Sequence, residues 1–69
     1  MIPGYRLILA SAVGSRDGMA LELDKDSGEQ VAEVFEDDET KERTVTIFGE
    51  QAVPLAAIEW LLAEARTRL

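Results

Sequence analysis

Apolar and polar residues alternate along the first two thirds of the chain, in short segments separated by turn-forming residues. The first segment, Tyr5 to Val13, carries apolar side chains on both sides in places, whereas the second, Met19 to Asp24, alternates strictly. Strict alternation is typical of a strand with one dry and one solvated face. Glycine and aspartate in "GSRDG", residues 14–18, and "KDSG", residues 25–28, favour tight hairpin turns. These segments therefore read as consecutive antiparallel strands.

Two further alternating segments flank the charged residues around position 40, and the apolar positions predict how the strands pair. If residues 25–28 close as a four-residue loop, one face stays apolar from the second strand to the fourth. The expected pairs are Asp24–Glu29, Leu21–Ala32 and Met19–Val34 across that loop, and Val34–Val45, Ala32–Ile47 and Glu36–Arg43 across the next turn.

The hydrophobic period changes after Val53 to spacings of three and four, which indicates an amphipathic helix of about four turns. Pro54 suits the first turn of this helix, where the missing N–H group is not needed. Arg66 and Arg68 suit the last turn, since positive charge favours the negative end of the helix dipole. The apolar stripe that we expect to face the sheet consists of Leu55, Ile58, Leu62, Ala65 and Leu69.

The element order β-β-β-β-α predicts an α+β fold, in which a four-stranded antiparallel meander is followed by one C-terminal helix packed on one face. The chain has room for a single domain, residues 1–69, and its 46% hydrophobic and 30% charged residues are typical of a globular protein. A core of this size contributes only about 3–5 kcal/mol, so we expect a partner chain to add stability.

Acidic side chains outnumber basic ones by 14 to 7, which gives a formal net charge of −7. Such a surface repels anionic lipid and the phosphates of nucleic acid, and it favours a basic protein partner. The apolar run in "YRLILASAVG" is too short to span a bilayer and is at the lower limit for a secretion signal. We therefore expect a cytoplasmic protein that binds no membrane, with nucleic acid a disfavoured but not excluded partner.

The residues that carry most enzyme chemistry are missing from the sequence. It contains no cysteine and no histidine, so neither a thiolate zinc site nor an imidazole base is available. A carboxylate pair such as Glu22 with Glu33 could share a proton in a cleft, but a small meander with one helix offers little concavity. We expect no enzyme activity, no catalytic or metal-binding residues and no cofactor.

Carboxylates are concentrated in "FEDDETKERT", residues 35–44. Five of them lie within residues 36–42, a density that suits either a cation site or a solvated turn between two strands. Glu36 and Arg43 have the spacing of a cross-strand ion pair at the base of a hairpin. We interpret the segment as a turn, and the sequence leaves open whether Asp37 to Glu42 also bind a cation.

The sheet face opposite the helix is expected to carry apolar groups among polar ones. In the predicted register, Val31, Phe35 and Phe48 lie there among glutamate and threonine side chains. They either hold a partly solvated sheet together or form a recognition surface for another chain, a role that contiguous exposed apolar groups often have. Val31, Phe35 and Phe48 are therefore the candidate interface residues of the sheet.

Trp60 points away from the predicted apolar stripe when the helix is drawn at about 100° per residue. Its neighbours on that side are Ala56, Ala57 and Ala63, whose small side chains would let another helix or a sheet edge approach closely. A tryptophan left in water is unfavourable, so we expect these four residues to form a homodimer interface. The alternative is partial burial of Trp60 under a loop of the same chain.

Two stretches, "GEQVAEVFEDDETKERTVTIF" at residues 28–48 and "VPLAAIEWLLAEA" at residues 53–65, resemble a group of short bacterial proteins without an assigned function. They cover about half of the chain. The β-β-β-β-α order also resembles one half of the Pur-alpha and transcriptional-coactivator PC4 folds, which implies a curved, dimerising sheet that binds single-stranded nucleic acid. Members of that family need basic residues beside stacking aromatics, whereas here Phe35 and Phe48 are surrounded by glutamates.

The sequence leads to two functional hypotheses. The first is a small acidic, non-enzymatic interaction protein, a homodimer that binds a protein partner, and a regulatory role toward a basic partner would suit its charge. The second is a single-stranded nucleic-acid binder of the Pur or PC4-like type, with phenylalanines as stacking platforms. Their charge requirements differ, because nucleic-acid binding depends on Lys and Arg and weakens steeply with salt.

Overall fold

The structure is a computed structural model that describes residues 1–11 and 17–69. Within these ranges the chain forms four strands and one helix: β1 Tyr5–Ser11, β2 Gly18–Lys25, β3 Gln30–Asp37, β4 Arg43–Ile47 and α1 Leu55–Arg68. The strands form one antiparallel sheet in the order β1-β2-β3-β4, and α1 packs on it. The predicted α+β meander with a C-terminal helix is confirmed. The end of the predicted first strand and most of the "GSRDG" turn lie outside the described residues.

The predicted register between β3 and β4 is confirmed, whereas the one between β2 and β3 is wrong by two residues. Leu21 lies opposite Val34 rather than opposite Ala32. The expected four-residue loop is in fact shorter, because the Lys25 N–H group donates to the Glu29 carbonyl at 2.8 Å. Gly28 makes this possible with a positive φ of 100°, a conformation that side chains disfavour.

A β-bulge adjusts the pairing beside this loop. Leu23 pairs with Ala32 while Asp24 pairs with Gln30, so Val31 is the extra residue on β3. Val31 is fully buried and belongs to the core cluster. The shift of two residues leaves the apolar face of the sheet intact because side chains alternate with a period of two, and the bulge allows Val31 to join the core as well.

The helix presents a different stripe to the sheet from the predicted one. Ala57, Leu61 and Ala65 are buried, whereas Leu55 is 72% exposed and Leu62 is 39% exposed. Spacings of four residues join the buried positions, and the small alanines allow the helix backbone to lie close to the strands. The prediction was wrong for Leu55 and Leu62, because the sequence contains two overlapping apolar stripes.

The core lies between α1 and the first three strands. Helix α1 contacts β1, β2 and β3, and among the described residues it makes no close backbone approach to β4. The buried cluster consists of Leu21, Leu23, Val31, Ala32, Val34, Ala57, Leu61 and Ala65. One side of β4 therefore remains open beside the helix. No helix in the described part of the chain is long and apolar enough to cross a membrane.

Candidate functional site

The four residues of the predicted helix interface do not share one surface. Ala57 is fully buried beneath the helix, while Ala56 and Ala63 are exposed. Trp60 is half-buried and packs against the core of its own chain. The rotation of the helix that buries Leu61 causes this arrangement. The prediction for Ala57 was therefore wrong, and contact of the other three with a second chain stays a prediction.

Trp60 lies beside the segment that precedes β1. It lines a shallow cleft together with Ile2, Tyr5 and Leu7, and the same three side chains pack against the core cluster. This placement corresponds to the alternative in which Trp60 is partly buried within its own chain. It also explains how a tryptophan that lies off the predicted stripe avoids full exposure to water.

The three residues of the predicted sheet interface also lie in different environments. Val31 belongs to the core, so its assignment to an open face was wrong, and the bulge is the reason. Phe35 and Phe48 are both half-buried. The ring of Phe35 lies against Gly18 of the neighbouring strand, where even a Cβ atom would come within 2.7 Å of the ring. Part of this aromatic surface is thus used within the sheet.

Strand β4 forms an open edge of the sheet, and all five of its residues are exposed. At the two ends of the β3–β4 ladder, Asp37 N–H donates to the Glu42 carbonyl at 3.0 Å and Phe48 N–H donates to the Val31 carbonyl at 2.8 Å. Antiparallel ladders alternate, so even-numbered residues of β4 bond to β3 and odd-numbered ones point away. The N–H and C=O groups of Arg43, Val45 and Ile47 therefore face outward, and none of the described residues pairs with them.

An apolar groove accompanies this edge on the side of the helix. Val45, which is 52% exposed, lines this groove from β4, and Leu62 faces the same space from α1. The groove has a volume of about 280 Å³ and is bordered by Arg43 and Arg66. We define the β4 edge and this groove together as the β4 surface. The apolar pattern did not predict this surface, because Leu62 belongs to the stripe that was expected to face the sheet. The competing stripe through Leu61 is the signal in the sequence that indicates it.

The acidic hairpin is ordered by its own backbone. Asp37 Oδ1 accepts hydrogen bonds from the N–H groups of Glu39 at 2.8 Å and Thr40 at 3.1 Å. The bonds from Thr40 and then Glu39 favour the charged form, so the pKa of Asp37 lies below its usual value. Within the described ranges no group of three acidic side chains converges to hold a metal ion. The interpretation of this segment as a turn agrees with these contacts.

The predicted ion pair at the base of this hairpin is confirmed. Arg43 Nε donates to Glu36 Oε2 at 2.8 Å, and the two residues lie directly opposite each other in β4 and β3. Both side chains are partly exposed, so the pair contributes less than about 1 kcal/mol. The pair holds the side chain of Arg43, the one charged residue of β4, toward β3.

Asp24 is a buried acidic residue on the sheet face opposite the helix. It is only 6% exposed, and its Oδ1 atom has no hydrogen-bond partner among residues 1–11 and 17–69. Burial raises the pKa of this carboxyl, and the charge of Arg6, its cross-strand partner in β1, opposes that rise. Glu22 and Glu33 lie opposite each other on the same face, and Glu33 is also buried.

Comparison with protein-family models, curated proteins and solved structures finds no match for this chain. Of the predicted resemblance, the structure shows the order of four antiparallel strands and a C-terminal helix. Such a likeness describes architecture, and function must be argued from the surface itself.

Proposed function

We propose that this protein is a small acidic, non-enzymatic interaction protein that binds another polypeptide chain at the β4 surface. The observation that carries the proposal is the open edge of β4, where three residues direct outward backbone groups that pair with none of the described residues. An exposed edge of this kind is a template for strand addition, in which backbone hydrogen bonds supply affinity and side-chain pockets supply selectivity.

The sequence of β4 supports this role because the strand has little of the usual protection against pairing. Natural edge strands are blunted by charged side chains, especially lysine, by proline or by bulges. Arg43–Ile47 contain neither proline nor lysine, and the ladder to β3 shows no bulge. The one charged residue of the strand, Arg43, is bonded to Glu36, and the other four residues are β-branched, which favours extended structure.

Net charge bears on the nature of the partner. The formal charge of −7 favours basic chains over acidic ones during approach. The alternative, a single-stranded nucleic-acid binder, needs an accessible aromatic surface flanked by cations. Phe35 is instead packed against Gly18, and Glu33 and Glu36 lie beside it in β3. These contacts favour a polypeptide partner.

Capture with matched baits tests the proposal. Val45→Pro removes an N–H group that points away from β3, so the ladder to β3 is kept while the edge is blocked. Val45→Thr keeps both the N–H group and a nearly identical shape. We expect a specific partner to be retained by the native protein and by Val45→Thr but lost from Val45→Pro. Partners that bind all three baits equally would contradict the β4 surface as the binding site.

A further inference from the structure

The β4 edge is self-complementary. We infer that a second copy of this chain pairs with β4 in antiparallel orientation, with Val45 of each copy on the two-fold axis. The inference rests on the proposed function, since it uses the same edge, and it names the occupant and the register. It differs from the helix-mediated dimer predicted from Trp60.

The hydrogen-bonding groups define this register. Outward N–H and C=O groups occur at Arg43, Val45 and Ile47, which are symmetric about the central residue. In an antiparallel pair centred there, Val45 bonds to Val45 of the second copy, and Arg43 bonds to Ile47 in both directions. Each such pair exchanges two hydrogen bonds, so about six would form. A two-fold interface requires this kind of self-complementarity.

The ends of the extended segment have the same symmetry. Lys41 and Gly49 have positive φ angles of 62° and 73°, so the chain turns at both positions. Each lies four residues from Val45. The extended part of the chain is therefore centred on the proposed axis, and a second copy in this register uses the whole edge without an overhang.

Charge on the edge favours a second copy over a basic chain. The chain has no carboxylate between Glu42 and Glu50, although it is strongly acidic overall. The single cation of the strand, Arg43, is already bonded to Glu36. Two copies thus meet along an edge free of opposed carboxylates, whereas the acidic groups that would attract a basic chain, such as Asp38 and Glu39, lie at the hairpin tip.

Side chains on the helix side of β4 also fit this pairing. Val45 of one copy would contact Val45 of the other, and Ile47 would lie beside the aliphatic part of Arg43. Both apolar side chains are about half exposed in the single chain. Pairing therefore removes apolar surface from water in addition to satisfying the backbone edge.

Charge-swapped variants at the axis test the inference. Because Val45 faces its own copy, Val45→Lys and Val45→Glu each place like charges directly opposite one another. We expect each variant alone to raise the dissociation constant of the dimer at least about tenfold in sedimentation, and an equimolar mixture to regain association. Thr46→Lys, on the other sheet face, is the matched control. Recovery in the mixture supports the axis at Val45, and its failure overturns it.

Hydrogen exchange gives a second readout that does not depend on any variant. In the native protein at roughly 1 mM, the amides of Arg43, Val45 and Ile47 should gain protection that is lost at roughly 10 μM. Protection that maps to β1 or to α1 instead, or a monomer at all concentrations, overturns the inference. If the protein is monomeric but capture still depends on Val45→Pro, the proposed function stands without this dimer. If edge-dependent capture fails as well, both are wrong.

Discussion

The ring of Phe35 packs against Gly18, and a Cβ atom on that glycine would lie 2.7 Å from Cζ and 2.9 Å from Cε1 of the ring. The two residues are diagonal neighbours in β2 and β3, since Ala20 pairs with Phe35 and Gly18 pairs with Asp37. The ring thus covers a position where the strand has no side chain of its own. Phe35 therefore stabilises the sheet, and any part of its ring that packs on Gly18 is not available to a partner.

This contact predicts a clear cost for Gly18→Ala. The added methyl group would meet both the Phe35 ring and the Glu36 carbonyl, so we expect the free energy of unfolding to fall by about 2 kcal/mol in urea denaturation. Adding Phe35→Leu to that variant should recover part of the loss, because the smaller side chain relieves the ring contact. A Gly18→Ala variant as stable as the native protein would contradict the packing.

Adjacent leucines in α1 distinguish the observed helix orientation from the one that the sequence suggested. Leu61 is fully buried whereas Leu62 is 39% exposed. Leu61→Ala should lower the free energy of unfolding by about 3 kcal/mol and Leu62→Ala by less than about 1 kcal/mol, measured by chemical denaturation. The reverse order would restore the predicted stripe and remove Leu62 from the β4 surface.

The two perturbed aspartates predict opposite titration behaviour. Burial raises the pKa of Asp24, so its charge disfavours the fold, and this cost appears as pH rises through the usual 3.8 toward the higher folded value. The free energy of unfolding of Asp24→Asn, relative to that of the native protein, should therefore be higher at neutral pH than at about pH 3. A constant difference between the variant and the native protein at all pH values would contradict the assignment.

Asp37 should behave in the opposite sense. Its pKa is lowered by the hydrogen bonds from Thr40 and Glu39, so its stabilising contribution is present above 3.8 and is lost as pH falls through the lower folded value. Carboxyl-carbon chemical shifts followed by NMR measure both groups in one titration. We expect the midpoint of Asp24 above the usual aspartate value and that of Asp37 below it; coincident midpoints would count against both.

Ionic strength separates self-association from nucleic-acid binding. Two copies that each carry −7 repel one another at long range, while the β4 edges that meet are free of carboxylates. Raising salt from about 0.01 M to 0.15 M shortens the screening length from about 30 Å to 8 Å, so dimerisation in sedimentation should strengthen. Binding of a labelled oligonucleotide would weaken over the same range, and tight, salt-sensitive oligonucleotide binding would support the alternative function.

The predicted helix interface can be tested without disturbing the core. Ala63 is exposed and lies three residues from Trp60 on the helix. Ala63→Arg should therefore leave the free energy of unfolding nearly unchanged. If the dimer forms through β4, its mass in light scattering should also be unchanged. Loss of the dimer in Ala63→Arg, with Val45→Lys still dimeric, would instead support the interface around Trp60.

Much of the fold follows from local patterns. The period-two segments, the turn residues and the change of period near Pro54 predict the five elements and their order correctly. The pairing of β3 with β4 was also predictable, because Val34, Val45 and the oppositely charged Glu36 and Arg43 all agree on one register. These features depend on residues that are close in sequence or joined by a short turn.

The candidate surface was less predictable, since it depends on choices between nearly equivalent arrangements. Leu62 and Leu61 are adjacent, and a rotation of about 100° exchanges their places. The small alanines at 57 and 65 decide that choice only when a sheet lies against them, because close approach is what makes small residues favourable there. For this reason the apolar pattern predicted Ala57 as an interface residue and predicted no binding surface on β4.

The element order, the acidic charge and the register of the last hairpin follow from the sequence, because periodicity, composition and short turns are properties of local segments. The bulge at Val31, the inward orientation of Leu61 and the lack of close backbone contact between α1 and β4 depend instead on the packing of the folded chain. Each of these depends on how a helix of fixed width fits a twisted four-stranded sheet. That fit is a balance of packing between distant residues, and it leaves β4, one of the two edge strands of the described sheet, without close backbone contact to the helix.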